Sequence, residues 1–505
     1  MANDKTGICD LPNELLLKIF AMLDDYGGHT SGLRTLSKES ECHSPPIRIA
    51  LVCKRWLPLA QQLFYNNIQI RNMNRIAYLY ETFSSTTLPL SVRHLSIDLP
   101  YGTAAKLELP IAISQATASQ ISASAREADS DSDASTSLRP CKKQSRLPPS
   151  AQEQLRSVFQ SCSRLLSLEI SGISPLVLFS ASSRDSSSLH HLHQLRLSTL
   201  ANLTLKCGGE SPVLTSTTLR DALLALTGLS ALTVKGYVSD PTSPLSFTPT
   251  RTITGSPARP LPSRARTLLK LESISIIESA MSPDDLASLV KQVRPGCITH
   301  LHIEDHYDGI DAAQRRREGK YAGPTVAGLS REQVGEPLRE SLTYLRVTLN
   351  NHPHVPISNR PSPLAPGHNR RSLTHPSPPY ILDRFISTIK NLQTLDVGGT
   401  LVSSGLILAP FGSTFEPCLL PHSVRRLTIR GCPALTPSVV LAFLNQLAAT
   451  RQRDSNRHGV SEIATSQLQE LTVSGGGESG WKDPMKLWKV QQACWSVNIH
   501  WVQPR

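Results

Sequence analysis

Aromatic residues make up only 5% of this 505-residue chain. One large aromatic core is therefore not expected. Long apolar runs are missing too: no stretch of about 18 apolar residues exists to span a bilayer as a helix. The ten cysteines are scattered without a Cys-x-x-Cys pair, which indicates neither a zinc site nor a disulfide framework and fits a reducing cytoplasmic or nuclear setting. Met1 is followed by polar Ala2-Asn3-Asp4-Lys5-Thr6-Gly7, so no secretory leader is expected. The P-loop, the Gly-x-Ser-x-Gly elbow and the dinucleotide fingerprint are all lacking. Gly475-Gly476-Gly477-Glu478-Ser479-Gly480 lacks the phosphate-loop spacing, has no clear helix after it, and reads as a mobile loop. No cysteine stands out as a nucleophile. The chain is expected to be non-catalytic, without cofactor or metal.

What is present is a 39% hydrophobic content built mostly from Leu, Ile and Val, which suits many thin, similar layers, and 37 prolines that point to abundant loops. The formal charge is +12. That balance suits nucleic acid, acidic proteins or phosphorylated peptides. Much of it is dispersed, and Arg315-Arg316-Arg317 and Arg370-Arg371 fall in loop-like stretches.

Near the start, Pro12 and Glu14 occupy what would be the first turn of a helix, where a missing N–H costs nothing and an acid suits the dipole. Leu15, Leu16, Ile19, Phe20 and Leu23 then recur at helical spacing. A second pattern places Ile49, Val52, Cys53 and Trp56 on one face, and Pro58 opens a further short helix through Leu59, Leu63 and Phe64. Such a unit is too small to bury a good core by itself.

The run Leu-Pro-x-Glu-Leu-Leu-x-x-Ile-Phe-x-x-Leu from Leu11, followed by Leu-Val-Cys-Lys-Arg-Trp-x-x-Leu-Ala from Leu51, resembles the F-box. The resemblance covers residues 9–70 and implies three helices that dock on the small Skp adaptor, and through it on a cullin–RING ubiquitin ligase. By this likeness Leu11, Pro12, Leu15, Ile19, Val52 and Trp56 carry the docking, with Trp56 mattering most. The segment 24–47 is longer than the usual link between the first two helices of that family.

Beyond this module one signature keeps returning, Leu-x-x-Leu-x-Ile or close to it. The copies are Val92–Ile97, Leu165–Ile170, Leu192–Leu197, Leu229–Val234, Leu271–Ile276, Ile298–Ile303, Leu342–Val347, Leu392–Val397, Val424–Ile429 and Leu468–Val473, with a degenerate Val497–Ile499 at the end. Ile70 to Ile97, Ile170 to Leu197 and Ile276 to Ile303 are each 27 residues, a leucine-rich-repeat period. Helix starts stand between the strands at Ser282-Pro283, Thr436-Pro437, Asp221 and Leu382. The run Gly431-Cys432-Pro433-Ala434-Leu435-Thr436 resembles the cysteine-containing leucine-rich repeats that often follow F-boxes. The expected fold is therefore α/β: a three-helix F-box over 9–70, then an irregular leucine-rich-repeat solenoid over 71–505 with a parallel concave sheet and convex helices. Low-complexity insertions are expected near 114–150, 238–267, 306–340 and 350–379.

Strand alternation sends the apolar positions inward and leaves Glu169, Arg196, Lys235, His302, Glu304, Arg346, Asp396, Arg426 and Arg430 on the concave face. Arg196, Lys235, Arg346, Arg426 and Arg430 are the candidate substrate contacts, and the last three form a basic stretch suited to a phosphate or an acidic peptide. His191, His193, His300 and His302 read as solvated strand residues in preference to metal ligands. The function expected from the resemblance is substrate recognition for a Skp–cullin–F-box ligase. The alternative is a non-catalytic repeat scaffold that binds nucleic acid or chromatin through its basic surface.

Overall fold

The computed structural model describes residues 11–19, 54–99, 150–173, 199–206, 214–226, 228–239, 243–247, 268–306, 325–350, 381–399, 402–408, 419–432, 434–456, 467–474, 481 and 483–502. The chain divides into two units, one of residues 1–201 with 208–212, the other of residues 202–207 with 213–505.

In the first unit, helix α1 (13–19) is followed by α2 (Trp56–Asn66), which runs without a break into β1 (Asn67–Ile70). Next come α3 (Met73–Ser85), β2 (His94–Asp98), α4 (Ala151–Ser161) and β3 (Ser167–Ser171). The pairings β1–β2 and β2–β3 are parallel. The strand β1 lies inside the stretch whose sequence resembles the F-box, so the helical module and the first strand share one continuous backbone. Tyr65 at the end of α2 packs against Phe83 of α3 at 6.2 Å and ties the two further.

The second unit alternates strand and helix: β4 (Asn202–Lys206), α5 (Ser216–Ala225), β5 (Ala231–Lys235), β6 (Ser273–Ile277), α6 (Pro283–Gln292), β7 (His300–His306) and α7 (Glu332–Arg339). It continues through β8 (Tyr344–Asn350), α8 (Ile381–Ser387), β9 (Thr394–Gly398), β10 (Arg426–Arg430), α9 (Pro437–Asn456), β11 (Glu470–Ser474), α10 (Pro484–Ser496) and β12 (His500–Val502). These strands lie side by side in chain order, every pairing parallel. In β4 to β11 the second and fourth residues are buried and stack in columns, as Leu203, Leu232, Ile274 and Leu301 do across β4 to β7.

Nine of the expected copies fall on β2, β3 and β5 to β11. The copy at Leu192–Leu197 lies outside the described residues. The partner of β5 is instead built from Leu200-Ala201-Asn202-Leu203-Thr204-Leu205, the same spacing overlooked in sequence. At the end, Val497 and Ile499 are buried, but Asn498 adopts φ +55 and the strand begins only at His500. A left-handed residue turns the chain there, so Val497–Ile499 is a turn into β12.

Other expectations shift for local reasons. Helix α5 starts at Ser216 with Thr215 as its cap, and Asp221 sits mid-helix. Part of the 306–340 stretch, expected as a low-complexity insertion, is helical: α7 buries Val334 and Leu338, spaced one turn apart, with Gly335 and Pro337 inside the helix. Helix α10 follows the glycine run, with Asp483 capping it and Pro484 in its first turn.

The 238–267 stretch is also partly fixed. Asp285 of α6 is fully buried; its Oδ2 accepts from Tyr237 Oη at 2.7 Å and from Ser239 Oγ, and its Oδ1 accepts from Leu245 N at 2.6 Å. Ser216 Oγ completes the network at 3.0 Å from Tyr237 Oη. Burial pushes the Tyr237 phenol upward, which keeps it a donor to the carboxylate. Asp285→Ala is expected to cost about 3 kcal/mol or more, because it leaves buried donors unpaired. A lowered denaturation midpoint checks this.

Four of these strands end in a glycine with positive φ, namely Gly172, Gly236, Gly399 and Gly431. At Gly172 a Cβ would stand 1.8 Å from the Leu99 carbonyl oxygen. Gly172→Ala is expected to destabilise the first unit by about 2 kcal/mol or more, from the left-handed backbone and the clash together. Chemical denaturation of the variant beside the wild type measures it.

Candidate functional site

The N-terminal module is held by a small apolar cluster. Leu16 of α1 is fully buried against Trp56, Leu59 and Ala60 of α2, with Leu11, Leu17, Ile19 and Leu63 packed around them. Arg55, just before α2, donates from Nη2 to the Leu11 carbonyl at 2.8 Å and to Asn13 Oδ1 at 3.3 Å. This clasp joins the start of α1 to the start of α2 across more than forty residues of sequence. Arg55 belonged to the quoted Lys-Arg-Trp run, yet nothing in its spacing gave it that role.

The six expected docking residues therefore separate. Leu11, Ile19 and Trp56 point into the module, Pro12 is exposed, Leu15 is 45% exposed, and Val52 lies outside the described residues. Leu57, 43% exposed on α2, was not expected from sequence. Trp56 is thus an internal packing residue, and among the described residues the outward apolar groups of the module include Pro12, Leu15, Leu57, Pro58 and Phe64.

A second constellation lies on the outward residues of β7 to β10. Parallel pairing sets His302 beside Arg346 and Arg346 beside Asp396. Asp396 departs from strand alternation, with its side chain only 6% exposed. Arg430 grips it with two nitrogens, Nε to Oδ1 at 2.8 Å and Nη2 to Oδ2 at 2.9 Å, and Arg346 Nε lies 3.6 Å from Oδ2. Glu304 stands 3.9 Å from Arg346 and 3.5 Å from His302 Nε2. Beneath them the rings of His300 and Tyr344 stack at 5.5 Å.

The expected basic stretch is therefore a set of cations already beside carboxylates. Arg346 and Arg430 share Asp396, Arg426 lies 3.8 Å from Glu470, and Lys235 lies 3.1 Å from Glu278. Arg196 lies outside the described residues. The structure brings Arg346 and Arg430 together through a residue of the intervening strand, and it leaves Lys235 several strands away.

Burial pushes the thiols of Cys162 and Cys432 up to about 12 and that of Cys494 to about 11, so none is a thiolate at neutral pH. Among the described residues no group of three His, Cys, Asp or Glu side chains could hold a metal ion, and no helix is long and apolar enough to cross a membrane. No protein-family model matches the chain, and no curated protein matches it.

His302 is held below its ordinary value of 6.5, first by burial and then by Arg346, against the opposing pull of Glu304 and Asp396. Unfolded chains bind this proton more readily, so stability rises with pH between the folded and the ordinary value and falls on acidification below about 6.5. His302→Gln is expected to flatten that acid limb of the stability profile and leave stability near pH 8 almost unchanged. Urea titrations at pH 5, 6, 7 and 8 test this.

Proposed function

We propose that the chain is a substrate-recognition subunit of a Skp–cullin–F-box ubiquitin ligase, in which the N-terminal module docks the Skp adaptor and a leucine-rich-repeat solenoid binds the protein to be modified. The observation that carries this reading is the module itself. A Leu-Pro helix is locked onto the Lys-Arg-Trp helix by Leu16, Trp56 and the Arg55 clasp, while Pro12, Leu15 and Leu57 stay on its surface. Two further features support it. The helix α2 continues into β1, so a partner held by the module is held at a fixed place relative to the first strands. The parallel strand-and-helix alternation agrees with leucine-rich repeats, whose outward strand residues form a broad surface for a protein ligand.

On this reading the chain makes and breaks no bonds. It supplies effective concentration, holding an acceptor lysine near a conjugating enzyme brought by the ligase. The nucleic-acid alternative draws less support, because the arginines and lysine singled out on the described strands stand beside carboxylates and present little uncompensated charge to phosphates.

Co-purification of the full chain with a Skp adaptor tests the proposal. Wild type is expected to bind, and Leu15→Glu to weaken binding about tenfold or more with an unchanged melting profile, since Leu15 is exposed. Trp56→Ala is expected to abolish binding together with the folding of the module, because its indole is internal. A folded wild type that leaves the adaptor behind sinks the reading.

A further inference from the structure

Helix α10 turns its apolar residues two ways. Val490 and Cys494 are fully buried, whereas Met485, Trp488 and Trp495 stand 62%, 48% and 63% exposed. Residues 485, 488, 492 and 495 recur at about 3.5-residue spacing, so these three side chains and Gln492 share one helix face. Beside that face lies a shallow cleft of about 500 Å³, lined by Leu441 of α9 and by Lys489, Gln492, Ala493, Trp495 and Ser496 of α10.

Among the described residues that line the cleft, the charged side chain is a lysine. Helix α10 contains no Asp or Glu, and α9 contains none before Asp454. Lys486 lies 3.7 Å from the capping Asp483, and Lys489, which lines the cleft, has no acidic partner among the described residues. Tryptophan with its large rigid face is the residue type most often found at the energetic centre of interfaces. Here two of the chain's five tryptophans lie on one exposed helix face, and Lys489 flanks that face about 100° round the helix from Trp488.

We propose that this face docks an acidic amphipathic helix of a partner protein, with apolar side chains against Trp488 and Trp495 and a carboxylate on Lys489. A helix in a shallow groove meets its partner through residues at i, i+3 or i+4, and i+7, the spacing the face itself displays. A small molecule would stay largely uncovered in so open a cleft. An anionic membrane is served by clusters of about four to eight cations, more than this helix carries. A second copy would set Lys489 against a surface without acids, and two tryptophans with one methionine fall short of the roughly 800 Å² per partner of a stable dimer. The proposal goes beyond the ligase reading and stands independently of it.

The test uses the full chain and a labelled synthetic peptide of about 18 residues, with Leu at helical spacing and Glu on the polar face, read by fluorescence anisotropy. A counterpart with every Glu replaced by Lys is the control. The Glu peptide is expected to bind and the Lys peptide not to bind. Trp495→Ala, Trp488→Ala and Lys489→Glu are each expected to weaken binding about tenfold or more while the thermal midpoint stays unchanged. Absence of Glu-peptide binding overturns the proposal, as does equal binding of both peptides or wild-type affinity in folded variants. Trp495-dependent co-sedimentation with phosphatidylserine vesicles, or a Trp495-dependent dimer in sedimentation velocity, without binding of the Glu peptide, overturns it in favour of a membrane or a second copy.

Discussion

A strand of five residues that buries only its second and fourth side chains has no stability of its own. Each strand of the second unit depends on the columns formed by its neighbours, one running Leu203, Leu232, Ile274, Leu301, Leu345, Leu395, Leu427 and Leu471, all essentially without solvent contact. The parallel column of Leu205, Val234, Ile276, Ile303, Val347, Val397, Ile429 and Val473 closes the layer. A slip of one residue in any pairing would turn both columns to water, so the register is strongly specified. Everything on the outward side inherits that register.

The charged group on β7 to β10 is one such inheritance. His302, Arg346 and Asp396 become neighbours because the apolar columns align their strands. Arg430 then reaches back across the strand pair to cover Asp396. A carboxylate nearly removed from water is tolerated there because Arg430 donates to both of its oxygens and the Arg346 guanidinium stands 3.6 Å away on the other side. The same carboxylate is shared by both guanidinium groups, so the outward face over these strands is close to charge-balanced. On α10, by contrast, Lys486 and Lys489 stand among exposed tryptophans, with Asp483 as the acid at the start of the helix.

Strand ends follow a related economy. Gly172, Gly236, Gly399 and Gly431 let the chain turn sharply with positive φ, and Glu278 holds the equivalent place after β6 at φ +49. For a residue with a side chain that backbone is unfavourable by about 1–2 kcal/mol, which the ion pair with Lys235 and the surrounding ladder offset in part. Asp285 performs the converse task. It gathers donors from two segments, Tyr237 with Ser239 and then Leu245, onto one helix, and so anchors a stretch whose serines and prolines would otherwise argue for a loose loop.

Sequence by itself determined the elements whose causes are local. The apolar alternation of β2, β3 and β5 to β11 needs only a few consecutive residues, and the helix starts at Ser282-Pro283 and Thr436-Pro437 only one turn. The Leu-Pro helix was legible for the same reason. Tertiary structure decided what depends on partners far along the chain: that Arg430 finds Asp396, 34 residues away, and that Leu245 finds Asp285, 40 residues away. It also decided that Trp56 faces inward onto Leu16 while Leu15 and Leu57 face out. The physical reason is that periodicity fixes which side of an element is apolar, whereas which groups meet across elements is set by stacking register and by the lengths of the connections between them. No local pattern carries that information.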